Sequence, residues 1–345
     1  MLMVVFGAGA SYDSCSTFTD ALSRPSAHPW RPPLAAELFT HRFEDWIQRF
    51  PQFAPLVTNL QQYEGANVEL FLEEMRETSR GDETTLKQLV AIRFYLQFML
   101  SDCGNRWMNL TKEVSNYKTL INRIRLERKF KEKVCLVTFN QDTLVEYALS
   151  IVNVSLHKMS DYVSGDYPLF KLHGSVNWGR VVSTYLSVKP ELGSLAIARE
   201  VIDKSSNLEL SQTYELFWGD PPGLSATPLP SERPALFSAI AIPMQNKDEY
   251  ECPQEHQQIL EKMLPQVSKV LIVGWRAAEN RFLHSLKSSL NVDSEFLVVG
   301  RDRESATKII DTIGKAGVPA KRFLPANGGF TSAIRTGEID RFLAA

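Results

Sequence analysis

The sequence has few cysteines, four in 345 residues, and no two of them form a C-x-x-C pair. This spacing indicates neither a zinc ribbon nor a disulfide framework, so we expect no bound metal and a reducing compartment. Long hydrophobic runs are also missing, and none reaches the roughly 20 apolar residues that cross a bilayer. The first strand-like run lies at the N-terminus itself, so we expect no signal peptide. Together these features predict a cytoplasmic protein.

The chain also lacks an excess of charge of either sign, with a formal net charge of -2 at pH 7. No overall positive field is available to neutralise phosphates, which disfavours direct binding of DNA or RNA. One basic stretch runs from Lys118 to Lys133, and it is either a solvated helix face or a contact surface for a partner. The hydrophobic fraction of 44% is ordinary for a soluble globular protein.

Short apolar runs bounded by turn residues recur along the chain, a pattern typical of strands buried on both faces of a sheet. They lie at 2–6, 134–139, 168–172, 239–243, 270–273, 296–299 and 322–324. Stretches of helical period separate the later runs, at 249–264, 279–290, 303–315 and 330–343. This alternation predicts an α/β fold with a Rossmann-like, doubly wound parallel sheet.

Two segments break the alternation. Residues 17–106 open with several prolines and then show helical period, so we expect a helical insertion. Residues 179–234 are rich in proline and predict a small, lid-like second insertion. The whole chain, 1–345, is therefore expected to form one domain. Its Rossmann-like core would comprise residues 1–16, 107–178 and 235–345.

A glycine-containing turn, Gly7-Ala8-Gly9-Ala10-Ser11, follows the first strand-like run. Glycines let the backbone approach a ligand closely, and backbone N–H groups there face its phosphates, so the turn is a candidate pyrophosphate loop. The full G-x-G-x-x-G pattern is absent, because Tyr12 stands where the third glycine would be. A simple tight turn is the alternative interpretation.

A polar motif, Thr138-Phe139-Asn140-Gln141-Asp142, follows the second run and precedes a helical stretch at 144–149. Ligands of open α/β sheets gather at the carboxyl ends of strands, so the motif is a candidate binding site. The alternative is that Asp142 only caps the following helix and that Asn140 only forms a turn.

A histidine follows the third run, in Lys171-Leu172-His173-Gly174-Ser175. An imidazole titrates near neutral pH, and at an accessible strand end it is suited to proton transfer. A structural histidine with satisfied hydrogen bonds is the alternative, and for a lone histidine it is the commoner case.

In this order, the three motifs and a later Val273-Gly274-Trp275 resemble the sirtuin fold family, and specifically its bacterial branch of NAD hydrolases. The resemblance spans nearly the whole chain in scattered blocks, most of them at strand ends. The positions that match the family's site are Gly7, Ala8, Gly9 and Ser11 for phosphates, Thr138, Phe139, Gly274 and Trp275 for the rest of the dinucleotide, and Asn140, Asp142 and His173 for catalysis. In this assignment the pair Asn140 and Asp142 holds the nicotinamide ribose and the attacking water, and His173 is the general base.

The sequence departs from the family in two places. Protein-deacylating sirtuins carry a four-cysteine zinc ribbon after the His-Gly motif, whereas residues 179–234 contain no cysteine. This disfavours lysine deacylation and favours the defence-associated branch, which lacks the ribbon and commonly hydrolyses NAD. Trp275 and Arg276 replace small hydroxyl residues of sirtuins, so Gly274 and the Gly300-Arg301-Asp302 assigned to the adenine end are weaker matches.

The resemblance implies an NAD glycohydrolase that takes NAD as its substrate and releases nicotinamide and ADP-ribose, as an effector of anti-phage defence by NAD depletion. Such an enzyme has to be held idle, which in this family is commonly done by homo-oligomerisation or by a partner such as a HerA-type hexameric ATPase or a short Argonaute. One alternative is a sensor that binds NAD or ADP-ribose without turnover. Another is an NAD-dependent protein deacylase or ADP-ribosyl transferase. A Rossmann dehydrogenase is disfavoured, because the full glycine fingerprint is missing.

Overall fold

The computed structural model describes residues 1–15, 29–62, 66–79, 82–112, 114–127, 132–183, 193–217, 235–243 and 250–345. These residues form two compact units. The first comprises 1–32, 106–173 and 247–345, and the second comprises 33–105 and 174–246. The proline-rich part of the expected lid, residues 17–28 of the expected helical insertion and residues 128–131 of the basic stretch lie outside the described residues. The organisation as a single domain, 1–345, stays a prediction, and so do the bounds of its core and its two insertions.

The described residues form both strands and helices. The strands are β1 (Leu2–Phe6), β2 (Val134–Thr138), β3 (Leu169–Lys171), β4 (Gly174–Val182), β5 (Leu210–Leu216), β6 (Leu236–Ile240), β7 (Lys269–Val273), β8 (Glu295–Val299) and β9 (Arg322–Pro325). The helices are α1 (Ala8–Tyr12), α2 (Glu44–Ile47), α3 (Ala54–Gln62), α4 (Ala66–Thr78), α5 (Glu83–Leu110), α6 (Asn116–Glu127), α7 (Leu144–Leu149), α8 (Gly193–Asp203), α9 (Gln254–Met263), α10 (Asn280–Ser289), α11 (Arg303–Lys315), α12 (Phe330–Arg335) and α13 (Glu338–Ala344).

The first unit contains a parallel sheet with the strand order β3-β2-β1-β7-β8-β9. Its central strands β1, β2 and β7 are rich in valine, leucine and isoleucine, and all their residues are buried except the half-buried Leu2 and Lys269, as expected for parallel strands covered on both faces. The chain winds outward from β1 to β3 and later resumes on the other side of β1 with β7, so the winding direction reverses between β1 and β7. The predicted α/β class, a Rossmann-like doubly wound sheet, is thereby confirmed.

One predicted strand lies outside this sheet. The apolar run at 239–243 overlaps β6, which pairs antiparallel with β4 in the second unit. Its Phe237 and Ile240 belong to the hydrophobic core of that unit. Because burial makes a strand apolar in either kind of sheet, the run alone could not distinguish the two locations.

Another difference concerns the predicted helix at 330–343, which is divided into α12 and α13. Gly337 separates them with φ of +69°, a left-handed conformation that glycine adopts without steric cost. The apolar period continues across the break because both helices bury one face, through residues such as Phe330 and Phe342.

The second unit combines a three-stranded sheet, in the order β5-β4-β6, with the helices between residues 44 and 105. Its core is rich in aromatic side chains that meet edge to face, for example Phe50 with Phe98 at a ring distance of 5.7 Å. Helix α4 packs against this core, where its Val68, Leu72 and Met75 are buried.

Several features are absent from the described residues. The four cysteines are all buried, and no disulfide joins them. No three His, Cys, Asp or Glu side chains of these ranges are grouped to hold a metal ion. Likewise, none of the described helices has the length and apolar character that crossing a bilayer demands.

Candidate active site

The register of the parallel strands brings the three motifs to one edge of the sheet. Phe6 of β1 pairs with Thr138 of β2, and Thr138 pairs with Lys171 of β3. Asn140 and His173 therefore each lie two residues beyond this common level, after the adjacent strands β2 and β3, and neighbouring strands are about 4.8 Å apart. This edge, at the carboxyl ends of the strands, is where doubly wound sheets bind their ligands.

Asn140 is a buried centre of hydrogen bonds. Its Nδ2 donates to the Gly7 carbonyl oxygen and to Ser11 Oγ, both at 2.9 Å, and lies 3.2 Å from the Tyr117 hydroxyl. Its backbone N–H donates to Thr138 Oγ1 at 3.0 Å. The amide nitrogen is thus committed to the protein. The amide oxygen, Oδ1, is the atom that can accept a hydrogen bond from a ligand hydroxyl or a water.

Ser11 joins the glycine turn to the polar motif. Its hydroxyl donates to Asp142 Oδ2 at 2.6 Å, and because a hydroxyl has one hydrogen, the Tyr117 hydroxyl at 2.9 Å must donate to Ser11 Oγ. Burial and the nearby Asp142 carboxylate raise the pKa of Tyr117 well above its ordinary value, so the phenol keeps its proton. Asp142 Oδ1 accepts the Leu144 N–H at 3.0 Å, so this carboxylate stabilises the start of α7 as well as the turn.

A fully buried lysine supports the polar motif. Lys171 Nζ donates to the Asp142 carbonyl oxygen and, at 2.7 Å, to Glu146 Oε1. Burial raises the pKa of Glu146, and the ammonium of Lys171 opposes that rise without reversing it. Lys171 therefore fixes the backbone at Asp142 from the strand that leads to His173.

Replacing Lys171 by methionine is expected to lower the free energy of unfolding at neutral pH by about 3–5 kcal/mol, because it leaves the Glu146 carboxylate buried without its cation. Without the ammonium, the folded-state pKa of Glu146 rises further above its unfolded value. The cost should therefore be small at acidic pH and grow as the pH rises through that folded-state pKa. Urea denaturation across pH tests this.

The double variant Lys171→Met, Glu146→Gln is the control, since it removes both charges. We expect it to recover most of the loss at neutral pH. A single variant that loses the same stability at every pH would show that the ion pair is not the cause.

His173 lies against an aromatic wall. The Phe139 ring meets the imidazole edge to face at 5.0 Å, and the Trp275 indole is stacked on Phe139 at 5.4 Å with an interplanar angle of 11°. Trp275 is only 2% exposed, and its Nε1 donates to Glu279 Oε2. Phe139 and Trp275 therefore shape the surroundings of His173. Their expected contacts with a dinucleotide stay predictions.

The glycines of the first turn allow two loops to approach each other. The Gly7 N–H donates to the Val273 carbonyl oxygen at 3.0 Å, and the Gly9 N–H donates to that of Gly274 at 3.1 Å. A Cβ at Gly7 would lie 2.5 Å from Trp275 Cα, and one at Gly9 would lie 2.9 Å from Gly274 Cα. The close packing of these loops thus explains why glycine is needed at both positions, independently of any ligand. The pyrophosphate role of the turn stays a prediction.

The Gly274→Ala variant is expected to be strongly destabilised. Gly274 has φ of +62°, and a Cβ there would lie 2.3 Å from the Ala10 nitrogen. Left-handed strain alone costs about 1–3 kcal/mol in the free energy of unfolding, and the backbone clash adds to it. Chemical denaturation measures the effect.

The matched control is Gly314→Ala in α11, where a Cβ meets nothing within 4 Å. It should raise stability by about 0.5–1 kcal/mol, because alanine favours a helix interior. Equal stabilities of the two alanine variants would contradict the close approach of the loops.

The segment assigned to the adenine end, Gly300-Arg301-Asp302, immediately precedes α11. The Asp302 carboxylate accepts the Ser305 N–H at 2.8 Å, which lowers the pKa of Asp302 to about 2. This carboxylate therefore caps the helix, while the Arg301 side chain is 89% exposed. Contact with an adenine stays a prediction.

Sequence reasoning missed Tyr117 and Glu279. Tyr117 lies on the apolar face of α6 with Leu120, Ile121 and Ile124, and this spacing indicates a core residue without revealing its hydroxyl contacts. Glu279 precedes the first residue of α10, where an acidic residue is expected to favour the helix dipole. Neither residue follows a strand end directly, so the pattern that identified the three motifs did not include them.

Fold and site together define a Rossmann-like α/β protein with polar side chains gathered at the carboxyl ends of β1, β2 and β3. No protein-family model and no curated protein matches the chain. Among solved structures, it is similar to "Structure of Sir2Tm bound to a propionylated peptide", with 12% identity, a TM-score of 0.39 and coverage of 99% of this chain and 94% of that one. It is also similar to "Crystal structure of a Sir2 homolog-NAD complex", with 13% identity, a TM-score of 0.37 and coverage of 99% and 90%.

Proposed function

We propose that this site binds NAD and hydrolyses the bond between its nicotinamide and its ribose. The observation that carries the proposal is the placement of Asn140 and His173 at one level after the adjacent strands β2 and β3, on the β1 side of the winding reversal. The ordered motifs, which resemble those of NAD-hydrolysing sirtuin relatives, give the ligand its identity.

The reaction breaks the bond between the ribose anomeric carbon and the pyridinium nitrogen. The bonding electron pair goes to that nitrogen, so nicotinamide leaves as a neutral molecule and needs no strong acid. Positive charge develops on the ribose, as in glycoside cleavage. A water oxygen forms the new bond to the anomeric carbon and gives up one proton, which yields ADP-ribose.

Each group of the site has a part in this reaction. Asn140 Oδ1 orients a ribose hydroxyl or the attacking water, since its Nδ2 is held by Gly7 and Ser11. Asp142 keeps Ser11, and through it the glycine turn, at a fixed distance from Asn140. The His173 imidazole accepts the proton of the water.

The wider role follows from the resemblance. We propose that NAD depletion serves anti-phage defence and that the enzyme is held idle by homo-oligomerisation or by a partner, of which a HerA-type ATPase and a short Argonaute are the candidates. Light scattering on the purified protein is expected to give a mass above that of one 39.0 kDa chain. A monomer at every concentration would contradict the oligomer.

The function is tested by incubating the protein with NAD and following nicotinamide and ADP-ribose by chromatography, alone and with an acetylated peptide. The expected result is equimolar release of both products without peptide, from the protein alone or after a candidate partner is added. Nicotinamide release that requires the peptide would favour a deacylase. Saturable NAD binding without products, also in the presence of candidate partners, would favour a sensor.

A further inference from the structure

A buried carboxylate next to His173 has no part in the function proposed above. Glu279 is 3% exposed and lies at the start of α10. Its Oε2 accepts a hydrogen bond from Trp275 Nε1, and its Oε1 lies 4.0 Å from His173 Nε2. The side chain therefore bridges the loop after β7 and the imidazole after β3.

Aromatic rings pack around the Trp275 indole that donates to this carboxylate. The Phe282 ring meets the Phe139 ring edge to face at 5.4 Å and the Trp275 ring at 5.5 Å. Rings that exclude water lower the local dielectric constant, which strengthens the attraction between a carboxylate and a cationic imidazole. A buried carboxylate is stabilised by a cationic neighbour, and the His173 imidazole is such a neighbour when it is protonated.

The other charged and titratable groups near this pair have further partners of their own. Lys171 is bound to Glu146, and Asp142 accepts from Ser11 and from a backbone N–H. Tyr250 lies close enough that the charge of Glu279 contributes to raising the pKa of its phenol, after the larger effect of burial. The Arg281 guanidinium lies 4.4 Å above the Tyr250 ring and donates to Gln257.

We propose that Glu279 is a positioning residue that holds the His173 imidazole for proton transfer; this rests on the proposed function. The carboxylate accepts a hydrogen bond from Nε2–H of the neutral ring. The ring lone pair therefore lies on Nδ1. When Nδ1 accepts the proton of the attacking water, the ring becomes an imidazolium whose charge faces Glu279. Catalytic hydrogen bonds often shorten only in the substrate complex, which suits the present 4.0 Å separation.

The test is the Glu279→Gln variant, which keeps the shape and an oxygen acceptor for Trp275 but removes the charge. Without the anion, the imidazolium loses its partner, so the pKa of His173 should fall by about one unit or more. Ring NMR signals report that pKa in the protein without NAD, and His173→Asn assigns the signal among the six histidines. The acid limb of kcat/KM for nicotinamide release should move to lower pH by the same amount.

The control is Glu295→Gln at the amino end of β8, the opposite edge of the sheet, where Arg322 and Lys321 pair with the carboxylate. It should leave the His173 signal unchanged. An unchanged His173 pKa in Glu279→Gln overturns the positioning role, even if activity falls. If the glutamine variant does not fold, Glu279→Asp withdraws the charge by one methylene and should lower the His173 pKa by a smaller amount. An unchanged His173 pKa in Glu279→Asp would also overturn the positioning role.

The two proposals fail separately. If Glu279→Gln shifts the His173 pKa although the wild-type protein releases no nicotinamide even with candidate partners present, the Glu279–His173 pairing is supported and NAD hydrolysis is refuted. If the wild-type protein releases nicotinamide but Glu279→Gln leaves the His173 pKa unchanged, NAD hydrolysis is supported and the Glu279–His173 pairing is refuted.

Discussion

Replacing Asn140 by alanine is expected to lower the rate of nicotinamide release by about 10²–10³-fold, the loss typical of removing one preorganised polar group. The variant loses Oδ1, which orients the water or the ribose, and it also loses the hydrogen bonds that Nδ2 donates to Gly7 and Ser11. The measurement is single-turnover release at saturating NAD, so that weakened binding does not contribute.

Tyr117→Phe separates these two effects. It removes the hydroxyl that contacts both Ser11 and Asn140 but keeps the Asn140 amide. We expect a stability loss of about 1–2 kcal/mol, as for one buried hydrogen bond, and a rate loss of no more than about tenfold. If the phenylalanine variant lost as much rate as the alanine variant, the network would be responsible and Oδ1 would have no special part.

The second large effect is expected for His173→Ala, which should reduce nicotinamide release by about 10²-fold or more through loss of the proton acceptor. Added imidazole should restore part of the rate, because a small base can enter the space that the ring has left. NAD affinity should change little, since the proposed phosphate contacts lie on the glycine turn. Isothermal titration and a product assay measure the two quantities.

His284→Ala is the matched control, an exposed histidine on α10. It should retain wild-type turnover. If His173→Ala also retained wild-type turnover, His173 would not be the general base.

Much of the fold could be predicted from the sequence because its central strands are short, continuous apolar runs. A strand buried on both faces, such as β2 or β7, has no polar alternation, and helices of clear period separate the later strands. The sequence pattern gave the wrong prediction where tertiary packing determines the location or the end of an element. The run at 239–243 is apolar because it packs on the second core, and the α12–α13 break depends on a single left-handed glycine, Gly337.

The site was predictable to the extent that it lies at strand ends. Asn140, Asp142 and His173 each follow a recognisable strand, and parallel strands share their carboxyl edge. The register that puts two of them at one level depends on hydrogen-bond pairing that no local pattern encodes. Tyr117 and Glu279 reach the site from helix α6 and from the start of α10, and each resembles an ordinary helix residue in sequence.

The most direct test is an experimental structure of the His173→Ala variant with NAD bound. This variant keeps Asn140 and should retain the substrate, because the proton acceptor is gone. We expect the nicotinamide ribose at hydrogen-bond distance from Asn140 Oδ1, with the pyrophosphate near the Gly7–Ser11 turn. A dinucleotide bound away from the ends of β1, β2 and β3, or oriented with its adenine beside Asn140, would contradict it.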